Sequence, residues 1–569
     1  MSTLLARLHK IEAAGIRWHI QPGWEERLLG PRGLRLDEWL RCGQAQIVKE
    51  GPHRTVYRIH LADACLYLKH YRLADLAARL RQLIRPAKAV REFQHALALS
   101  DRAVPTVLPL AMGERIGSRG RRESFFITRG LEEVQPLGRY LETDLPLLSE
   151  AEQTPARHQV AVALGAFVAR LHEAGIAHHD LHVANVMIRH EESGPALFLL
   201  DLDAVRLSAP LSWGASRDNL VLLNRYFSLR ANRSDRVRFW HAYCRTRSAR
   251  SGPPGIFGPG GHHRPGADLA AEVEEKTWLS NVEFWRRRDR RCCRTNRYYY
   301  RFKHGPYSGH ATADVGRGDL DALLRDPLAV FTQPGVVLFK NSVSSQVALF
   351  DMEIAGQIRR VVLKRFSPRK WRESLAALVR PSPALRSWVH GHGLRERLLP
   401  TARPLAVWTR SVMGLPREAY LLTEYVPASG DLHQRLQAIV QTGAVGPLRS
   451  EIERIARLVR AMHERQLSHR DLKAGNLLAS DDGVWLIDLV GMRAPKQLTR
   501  EERIQNLTRL HASFHEHPLL TRTDKLRFLR TYQNWGLHSS GRWKKWWKAI
   551  DKATRAKVER NRRRGRPLA

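Results

Sequence analysis

The chain has 569 residues, which is too long for one ordinary hydrophobic core, so we expect about two to four domains. Lys and Arg number 94 against 56 Asp and Glu, and the formal net charge of +38 indicates a polyanionic neighbour: nucleic acid, an anionic membrane face or a phosphorylated substrate. The five Cys residues show neither a disulfide-framework pattern nor paired zinc-ligand spacing, which excludes a disulfide-stabilised scaffold and a zinc finger.

The first twenty residues, MSTLLARLHKIEAAGIRWHI, lack the long apolar segment of a signal peptide. The rest of the sequence contains no apolar run of about 18 residues, the length that a membrane-spanning helix needs. We therefore expect a cytoplasmic protein that is soluble or at most peripheral at a membrane.

Apolar patterns predict the same elements twice along the chain. In the first half, LYLKHYR is typical of a strand, and AKAVREFQHALAL and VAVALGAFVARLHE are typical of helices. In the second half, VVLFKNSVSSQVALFDM and RRVVLKRF predict neighbouring antiparallel strands, and IERIARLVRAMHE predicts a helix with one apolar face. We expect these apolar stripes to form cores.

The repeat extends to the polar segments and sets the predicted domain organisation. LHEAGIAHHDLHVANVMI recurs roughly 290 residues later as MHERQLSHRDLKAGNLLA. We predict a first domain at 1–310, with an N-terminal extension at 1–40 and a Gly/Pro-rich surface insertion at 250–269, and a second domain at 311–569 that ends in a basic tail.

Each copy carries the residues that phosphoryl transfer requires, in the same order. In the first copy Lys69 lies on an apolar strand, Asp180 is followed by Asn185, and Asp201 ends a short apolar strand. Transfer from ATP needs a carboxylate to deprotonate the acceptor hydroxyl, Asn and Asp oxygens to hold Mg²⁺, and a Lys to clamp phosphate. The second copy repeats the set as Lys364, Asp471, Asn476 and Asp488.

The two copies differ at the position that pairs with the lysine. Glu92 follows Lys69 within a predicted helix, where a kinase places the glutamate of its Lys–Glu ion pair. The equivalent position of the second copy, counted from the shared Pro-Thr, is Ser387. Neither copy has a G-x-G-x-x-G loop, and the first offers only Gly51 for covering phosphate.

At these residues the chain resembles the protein-kinase-like superfamily, and most closely the bacterial lipopolysaccharide kinases that phosphorylate Kdo or heptose. The resemblance implies an α+β fold with two tandem kinase-like domains, each having a small β-rich N-lobe and a mainly helical C-lobe. It also implies ATP, Mg²⁺ and a sugar hydroxyl as acceptor.

The resemblance implies a role for each residue of the pattern. Asp180 and Asp471 would be catalytic bases, and Lys473 would neutralise the transferring phosphoryl group. Nucleotide binding would fall to Lys69, Glu92, Gly51 and Lys364, and metal binding to Asn185, Asp201, Asn476 and Asp488.

Two alternatives stay open at the level of sequence. A Ser/Thr protein kinase is the first, because HRDLKAGN has Arg470 and Lys473 in protein-kinase style, although no A-P-E motif follows Asp201 or Asp488. The second is that one or both domains are pseudokinase scaffolds, since Ser387 leaves Lys364 without its glutamate.

Basic segments close both copies, at 284–305 and 542–569, and each mixes Trp with Lys and Arg. Aromatic rings beside cations suit an anionic membrane surface or RNA. We favour the inner face of the inner membrane over nucleic acid, because lipid-linked core sugars would be presented there. His172, His178, His463 and His469 are expected to be structural residues rather than catalysts.

Overall fold

The computed structural model describes residues 8–72, 86–116, 123–250, 266–367, 380–428, 430–443, 445–515, 520–533 and 542–565. The chain divides into two compact units, unit 1 at Met1–Ser280 and unit 2 at Asn281–Ala569. Most of the Gly/Pro-rich insertion expected at 250–269 lies outside the described residues.

Unit 1 begins with an antiparallel sheet of seven strands in the order β1-β2-β8-β9-β7-β6-β5. The strands of unit 1 are β1 His9–Ala13, β2 Ile16–Ile20, β3 Leu29–Gly30, β4 Gly33–Leu34, β5 Ala45–Gly51, β6 Arg54–His60, β7 Cys65–Tyr71, β8 Pro109–Arg115, β9 Ser124–Arg129, β10 Gln135–Pro136, β11 Ile176–His178, β12 Val186–Glu191, β13 Gly194–Leu199 and β14 Val205–Leu207. Burial alternates along β6 and β7, because successive side chains point to opposite faces of a strand.

Helices form most of the rest of unit 1. They are α1 Glu25–Leu28, α2 Leu36–Arg41, α3 Lys88–Asp101, α4 Leu137–Arg139, α5 Glu150–Glu173, α6 Trp213–Arg230, α7 Arg233–Arg250 and α8 Gly266–Arg288, the last of which runs on into unit 2. Helix α3 packs against the sheet, and the core of the helical part is built on α5, whose capping box at Ser149 and Glu152 fixes its start.

Unit 2 has the same architecture, with a seven-stranded sheet in the order β15-β16-β20-β21-β19-β18-β17. Its strands are β15 Tyr299–His304, β16 Tyr307–Thr312, β17 Val337–Ser342, β18 Ser345–Ile354, β19 Gln357–Phe366, β20 Pro404–Val412, β21 Leu415–Glu424, β22 Ser468–His469, β23 Leu477–Ala479, β24 Val484–Leu486 and β25 Met492–Arg493. Its helices are α9 Arg317–Arg325, α10 Pro383–Glu396, α11 Leu432–Gln441, α12 Val445–Glu464, α13 Arg500–Ser513, α14 Arg522–Gln533 and α15 Arg542–Arg563.

The two sheets therefore have one topology, an α+β arrangement of a strand-rich part followed by a helix-rich part, as expected for tandem kinase-like domains. The equivalence includes the first hairpin of each sheet. The N-terminal hairpin β1–β2 pairs with β8, so it belongs to the repeat and is not an extension. Likewise β15–β16 pairs with β20, which puts residues 299–312 in unit 2 and moves the division from the expected 310/311 to 280/281.

Most of the basic C-terminal segment forms α15, and two of its three tryptophans pack inward. Trp546 and Trp547 lie against the core of unit 2, and Trp546 also contacts Tyr532 with ring centroids 6.0 Å apart. These two rings attach α15 to its own unit. Among the described residues, no helix is long and apolar enough to cross a membrane.

A buried His–Tyr hydrogen bond recurs in both helical parts. His172 at the end of α5 bonds the Tyr243 hydroxyl at 2.9 Å, and His463 at the end of α12 bonds the Tyr532 hydroxyl at 2.8 Å. Burial is the main cause that lowers the pKa of each imidazole to about 3, with help from nearby Arg charges. These histidines are thus neutral packing residues, as expected.

Buried neutral histidine makes stability depend on pH with a defined sign. Between the unfolded pKa of 6.5 and the folded pKa of about 3, the unfolded chain binds a proton at this histidine and the folded chain does not. The histidine therefore leaves the free energy of unfolding unchanged above pH 6.5 and lowers it as pH falls below 6.5. We expect His463→Gln to remove about 1.4 kcal/mol per pH unit from this slope. Urea unfolding from pH 7 to pH 4.5 measures it, with exposed His60→Gln as control. An unchanged slope in His463→Gln would contradict the assignment.

Candidate active sites

In unit 1 the lysine of the predicted pattern is paired as the sequence indicates. Lys69 lies on β7, and its Nζ is 2.5 Å from Oε2 of Glu92 on α3. Glu92 is fully buried, and its other oxygen accepts a hydrogen bond from the Tyr71 hydroxyl. Burial, and then the charge of Glu92, raises the pKa of Tyr71, so the phenol stays a neutral donor. The glutamate thereby fixes the lysine on the sheet surface.

The loop that carries Asp180 is organised by its neighbours. The backbone N–H of Asp180 donates to Nδ1 of His178 at 3.2 Å, and Nδ2 of Asn185 donates to the Asp180 carbonyl at 2.9 Å. The Asp180 side chain is 67% exposed, so its carboxylate is presented to solvent while its backbone is held. His182 lies 3.4 Å from that carboxylate.

Asp201 is joined to the same loop through the other side of His178. The imidazole Nε2 donates to the carbonyls of Leu200 and Asp201, both at 3.2 Å. Asp201 itself has φ 56° and ψ 58°, a left-handed conformation that costs a non-glycine residue about 1 kcal/mol or more. The hydrogen bonds from His178 to the backbone on either side of this turn stabilise the conformation.

One residue near this constellation was missed by the sequence reasoning. Arg54 begins β6 and pairs with Gly51 at the end of β5, where nucleotide-binding kinases place glycines. Its Nη1 lies 3.8 Å from Oδ1 of Asp201, and its guanidinium lies over the Tyr71 ring at 6.0 Å. A cation at the turn in place of a glycine was the signal available in the sequence.

Unit 2 builds its acidic loops in the same way. The backbone N–H of Asp471 donates to Nδ1 of His469 at 3.2 Å, and Nε2 of His469 donates to the Asp488 carbonyl at 3.0 Å. Nδ2 of Asn476 donates to the Asp471 carbonyl at 2.8 Å, and Nζ of Lys473 lies 3.4 Å from the Asp471 carboxylate. Asp488 repeats the left-handed turn, with φ 55° and ψ 58°.

The lysine of unit 2 has a different partner. Nζ of Lys364 lies 2.7 Å from Oδ1 of Asp488, while the Ser387 hydroxyl donates within its own helix to the Pro383 carbonyl at 3.0 Å. Burial is the largest single influence and alone would raise the pKa of Asp488. The charge and hydrogen bond of Lys364, together with the charges of His469 and Lys340, outweigh burial and lower that pKa. The absence of a glutamate at Ser387 thus leaves Lys364 to an acidic residue of the expected metal pair.

The oxygen donors of both units suit Mg²⁺. Each Asn donates its Nδ2 to the carbonyl of Asp180 or Asp471, which leaves its Oδ1 as an acceptor. The carboxylates of Asp201 and Asp488 are the other candidate oxygen ligands. Amide and carboxylate oxygens are the ligands that Mg²⁺ prefers, completed by water and substrate phosphate. The described residues contain no group of three or more His, Cys, Asp or Glu arranged for a metal, so phosphate would have to complete the set.

The comparison with family models gives one family, twice. The model of the lipopolysaccharide kinase (Kdo/WaaP) family matches residues 38–244 and 355–532. The first segment lies in unit 1 and holds its acidic loops, and the second does the same in unit 2.

Individual relatives carry kinase names. The 3-deoxy-D-manno-octulosonic acid kinase of Haemophilus influenzae is 30% identical over 147 residues, 25% of this chain and 56% of that protein. The enzyme of the same name from Vibrio cholerae is 35% identical over 123 residues, 21% of this chain and 48% of that protein. The lipopolysaccharide core heptose(I) kinase WaaP of Pseudomonas aeruginosa is 24% identical over 217 residues, 36% of this chain and 78% of that protein.

The chain thus spans about half the length of the two octulosonic acid kinases. A solved structure described as WaaP in complex with acyl carrier protein is 20% identical, with a TM-score of 0.32, and covers 46% of this chain and 98% of its own.

The buried pair in unit 1 can be tested by removing its charge. We expect Glu92→Gln to destabilise α3 by about 2–3 kcal/mol, because Lys69 and Tyr71 lose a buried carboxylate. Hydrogen exchange of Lys88–Asp101, followed by mass spectrometry, measures the effect. Ser387→Ala is the matched control in α10, where the lost hydroxyl served only its own helix, so a change below about 1 kcal/mol is expected. Equal effects in the two helices would contradict the pairing.

Proposed function

The chain belongs to the lipopolysaccharide kinase (Kdo/WaaP) family, and we propose that it transfers phosphate from ATP, with Mg²⁺, to a sugar hydroxyl of lipopolysaccharide core or a related glycolipid. One observation carries the proposal. In each unit a buried histidine joins the loop of the candidate base to the loop of the second Asp. Kdo or heptose is the acceptor that the names of the relatives suggest.

The residues of unit 1 divide the reaction between them. Asp180 accepts the proton of the acceptor hydroxyl while the oxygen of that hydroxyl bonds to the γ-phosphorus. The bond from the γ-phosphorus to the β–γ bridging oxygen breaks, and ADP is released. Lys69, held by Glu92, binds the α- and β-phosphates. Asn185 and Asp201 would hold Mg²⁺, which supplies neutralising charge at the phosphates when bound.

The length of chain after Asp201 favours a small acceptor over a protein. Only residues 202–212 separate it from α6, and they hold a short turn and β14. In unit 2 only residues 489–499 separate Asp488 from α13. A protein kinase uses a longer activation segment here to bind its peptide substrate. A sugar hydroxyl needs no such segment.

A second candidate role for unit 2 is a non-catalytic one. The ion pair between Lys364 and Asp488 supports it, because a nucleotide and its metal must displace this pair before they bind. Unit 1 is therefore the principal active site in our proposal. Whether unit 2 also turns over is tested below with the Asp471→Asn variant.

We also propose that the chain works at the cytoplasmic face of the inner membrane, where lipid-linked core sugar would be available. The net charge of +38 supports this location, since each basic residue close to an anionic surface contributes about 1 kcal/mol. The contribution comes from Lys and Arg, since the two inward-facing tryptophans of α15 contribute to the core.

Separate inactivation of the two bases tests the function. We expect Asp180→Asn to lower transfer by unit 1 by about 10²- to 10⁴-fold, the usual contribution of a general base, and Asp471→Asn to do the same in unit 2. Release of ADP and phosphate incorporation into purified core oligosaccharide are measured for each variant and for both together.

The matched controls are Glu192→Gln and Asp482→Asn, which lie in the exposed turns that follow β12 and β23. Full activity in the double variant would refute both assignments. Phosphate appearing only on protein would refute the sugar acceptor, and loss of activity from Asp180→Asn alone would make unit 2 non-catalytic.

Arg54 gives a second test of the nucleotide site. If its guanidinium binds phosphate beside Lys69, Arg54→Ala should raise the KM for ATP by about 10-fold, which corresponds to one charged hydrogen bond. The measurement uses Asp471→Asn as background, so that only unit 1 turns over. Arg17→Ala, on the exposed surface of β2, is the control and should leave KM unchanged. An unchanged KM in Arg54→Ala would remove Arg54 from the site.

A further inference from the structure

Unit 2 gathers positive charge around its catalytic loop. Lys473 lies 3.4 Å from the Asp471 carboxylate. Helix α13 contacts the same loop, since the Ser513 hydroxyl accepts the Ala474 N–H at 3.3 Å. Arg509 lies one turn before Ser513 and therefore on the same face of α13. Two cations from different elements are thus directed at one loop.

The C-terminal helix adds a third cation. Thr554 of α15 is fully buried and bonds His511 of α13 at 3.0 Å, and Ile550 is buried in the core of unit 2. Lys557 follows Thr554 by three positions and Ile550 by seven, which places it on the face of α15 that packs against α13. The packing of α15 therefore sets the position of Lys557.

The electrostatics agree with this placement. Burial, and then the charges of Arg509 and Arg560, lowers the pKa of Lys557, while the charge of Asp471 raises it. Burial is also the main cause that lowers the pKa of Arg509, against the charge of Asp471. Among the described residues, no carboxylate forms an ion pair with Arg509 or Lys557. Two half-buried like charges without an ion-pair partner repel each other, and a bound anion would relieve that repulsion.

Unit 1 lacks these charges at the equivalent positions. Asn224 and His511 lie five residues after the equivalent Asn219 and Asn506, and they bond the buried Thr277 and Thr554. The alignment that these contacts define places Leu222 opposite Arg509, Ser280 opposite Lys557 and His182 opposite Lys473. None of the three residues of unit 1 carries a permanent positive charge.

We propose that unit 2 phosphorylates a sugar that already carries an anionic group, a phosphate or a carboxylate, near the accepting hydroxyl, and that Arg509 and Lys557 bind this anion. Unit 1, which lacks both cations, acts on an acceptor without that requirement. The inference rests on the proposed function and adds a substrate class to it. Guanidinium and ammonium groups are the usual protein ligands for phosphate and carboxylate, the first as a bidentate donor and the second as a point charge. Lys473 remains with the transferring phosphoryl group.

The experiment exchanges the two cations for their unit 1 counterparts. Arg509→Leu and Lys557→Ser are made in the full chain with Asp180→Asn, so that unit 2 alone turns over. Three acceptors are compared: heptose, which has no anionic group, heptose phosphate, which has a phosphate, and Kdo, which has a carboxylate. For heptose phosphate or Kdo we expect each exchange to raise KM about 10-fold, with KM for ATP unchanged and heptose a poor acceptor throughout. The exposed Lys552→Ser on α15 is the control and should match the parent.

Several outcomes decide the matter. A rise confined to heptose phosphate makes the anion a phosphate, and a rise confined to Kdo makes it a carboxylate. Equal use of heptose, or equal losses for all three acceptors, would overturn the inference. Calorimetric titration of the same acceptors into the parent and the exchanged variants gives a reading without turnover. If the exchanges abolish anion binding, the anion site is supported, even when no sugar is phosphorylated. Absence of phosphorylation would then refute only the proposed function. If the exchanged variants still bind the anion, the proposed site is overturned.

Discussion

The geometry of both candidate active sites depends on one buried histidine that must stay neutral. His178 and His469 each accept on Nδ1 a backbone N–H, from Asp180 and Asp471 respectively, and donate from Nε2 to the backbone around the second Asp. An imidazolium has a proton on both nitrogens and could not accept the first bond. Burial is the main cause that lowers the pKa of both histidines, so the core that surrounds them supplies the required neutrality. Packing and chemistry are therefore joined at one residue in each unit.

The same backbone topology supports two different arrangements at the phosphate end. In unit 1 the lysine is held by a glutamate from α3, so Asp201 keeps its carboxylate for another ligand, with Arg54 at 3.8 Å. In unit 2 the lysine is held by Asp488 itself. Because the two aspartates have nearly identical left-handed turns, the difference comes from side chains rather than from the backbone. Unit 2 has Ser387 in place of Glu92, and strand register places Phe366 and Ser345 where unit 1 has Tyr71 and Arg54.

The sequence was sufficient for whatever depends on local pattern and repetition. Strand and helix periodicity predicted β17, β18 and β19 and the helices that carry Glu92 and His463, and the repeat predicted two domains of one family. It could not show that the N-terminal hairpin completes the sheet, because β1–β2 joins β8 across a long stretch of chain. Long-range pairing of this kind leaves no local signal. The inward packing of Trp546 could not be predicted from the sequence either, since a Trp beside lysines fits a core-facing helix and a membrane-facing one equally well.

Comparison of the two units separates residues that the fold needs from residues that it does not. Thr277 and Thr554 are both fully or almost fully buried, and they bond α6 and α13 respectively, so this position is tied to packing. Three residues later Ser280 and Lys557 differ in size and charge, although they lie on the same turn of equivalent helices. A charge that packing does not require, and that burial makes costly, needs a compensating ligand to be maintained without loss of stability. The loop of Asp471 is the place for such a ligand in our proposal, because the charge of Asp471 already acts on Lys557. Selectivity between acceptors would then be carried mainly by the helices behind the loop, while the backbone hydrogen bonds of the loop stay the same in both units.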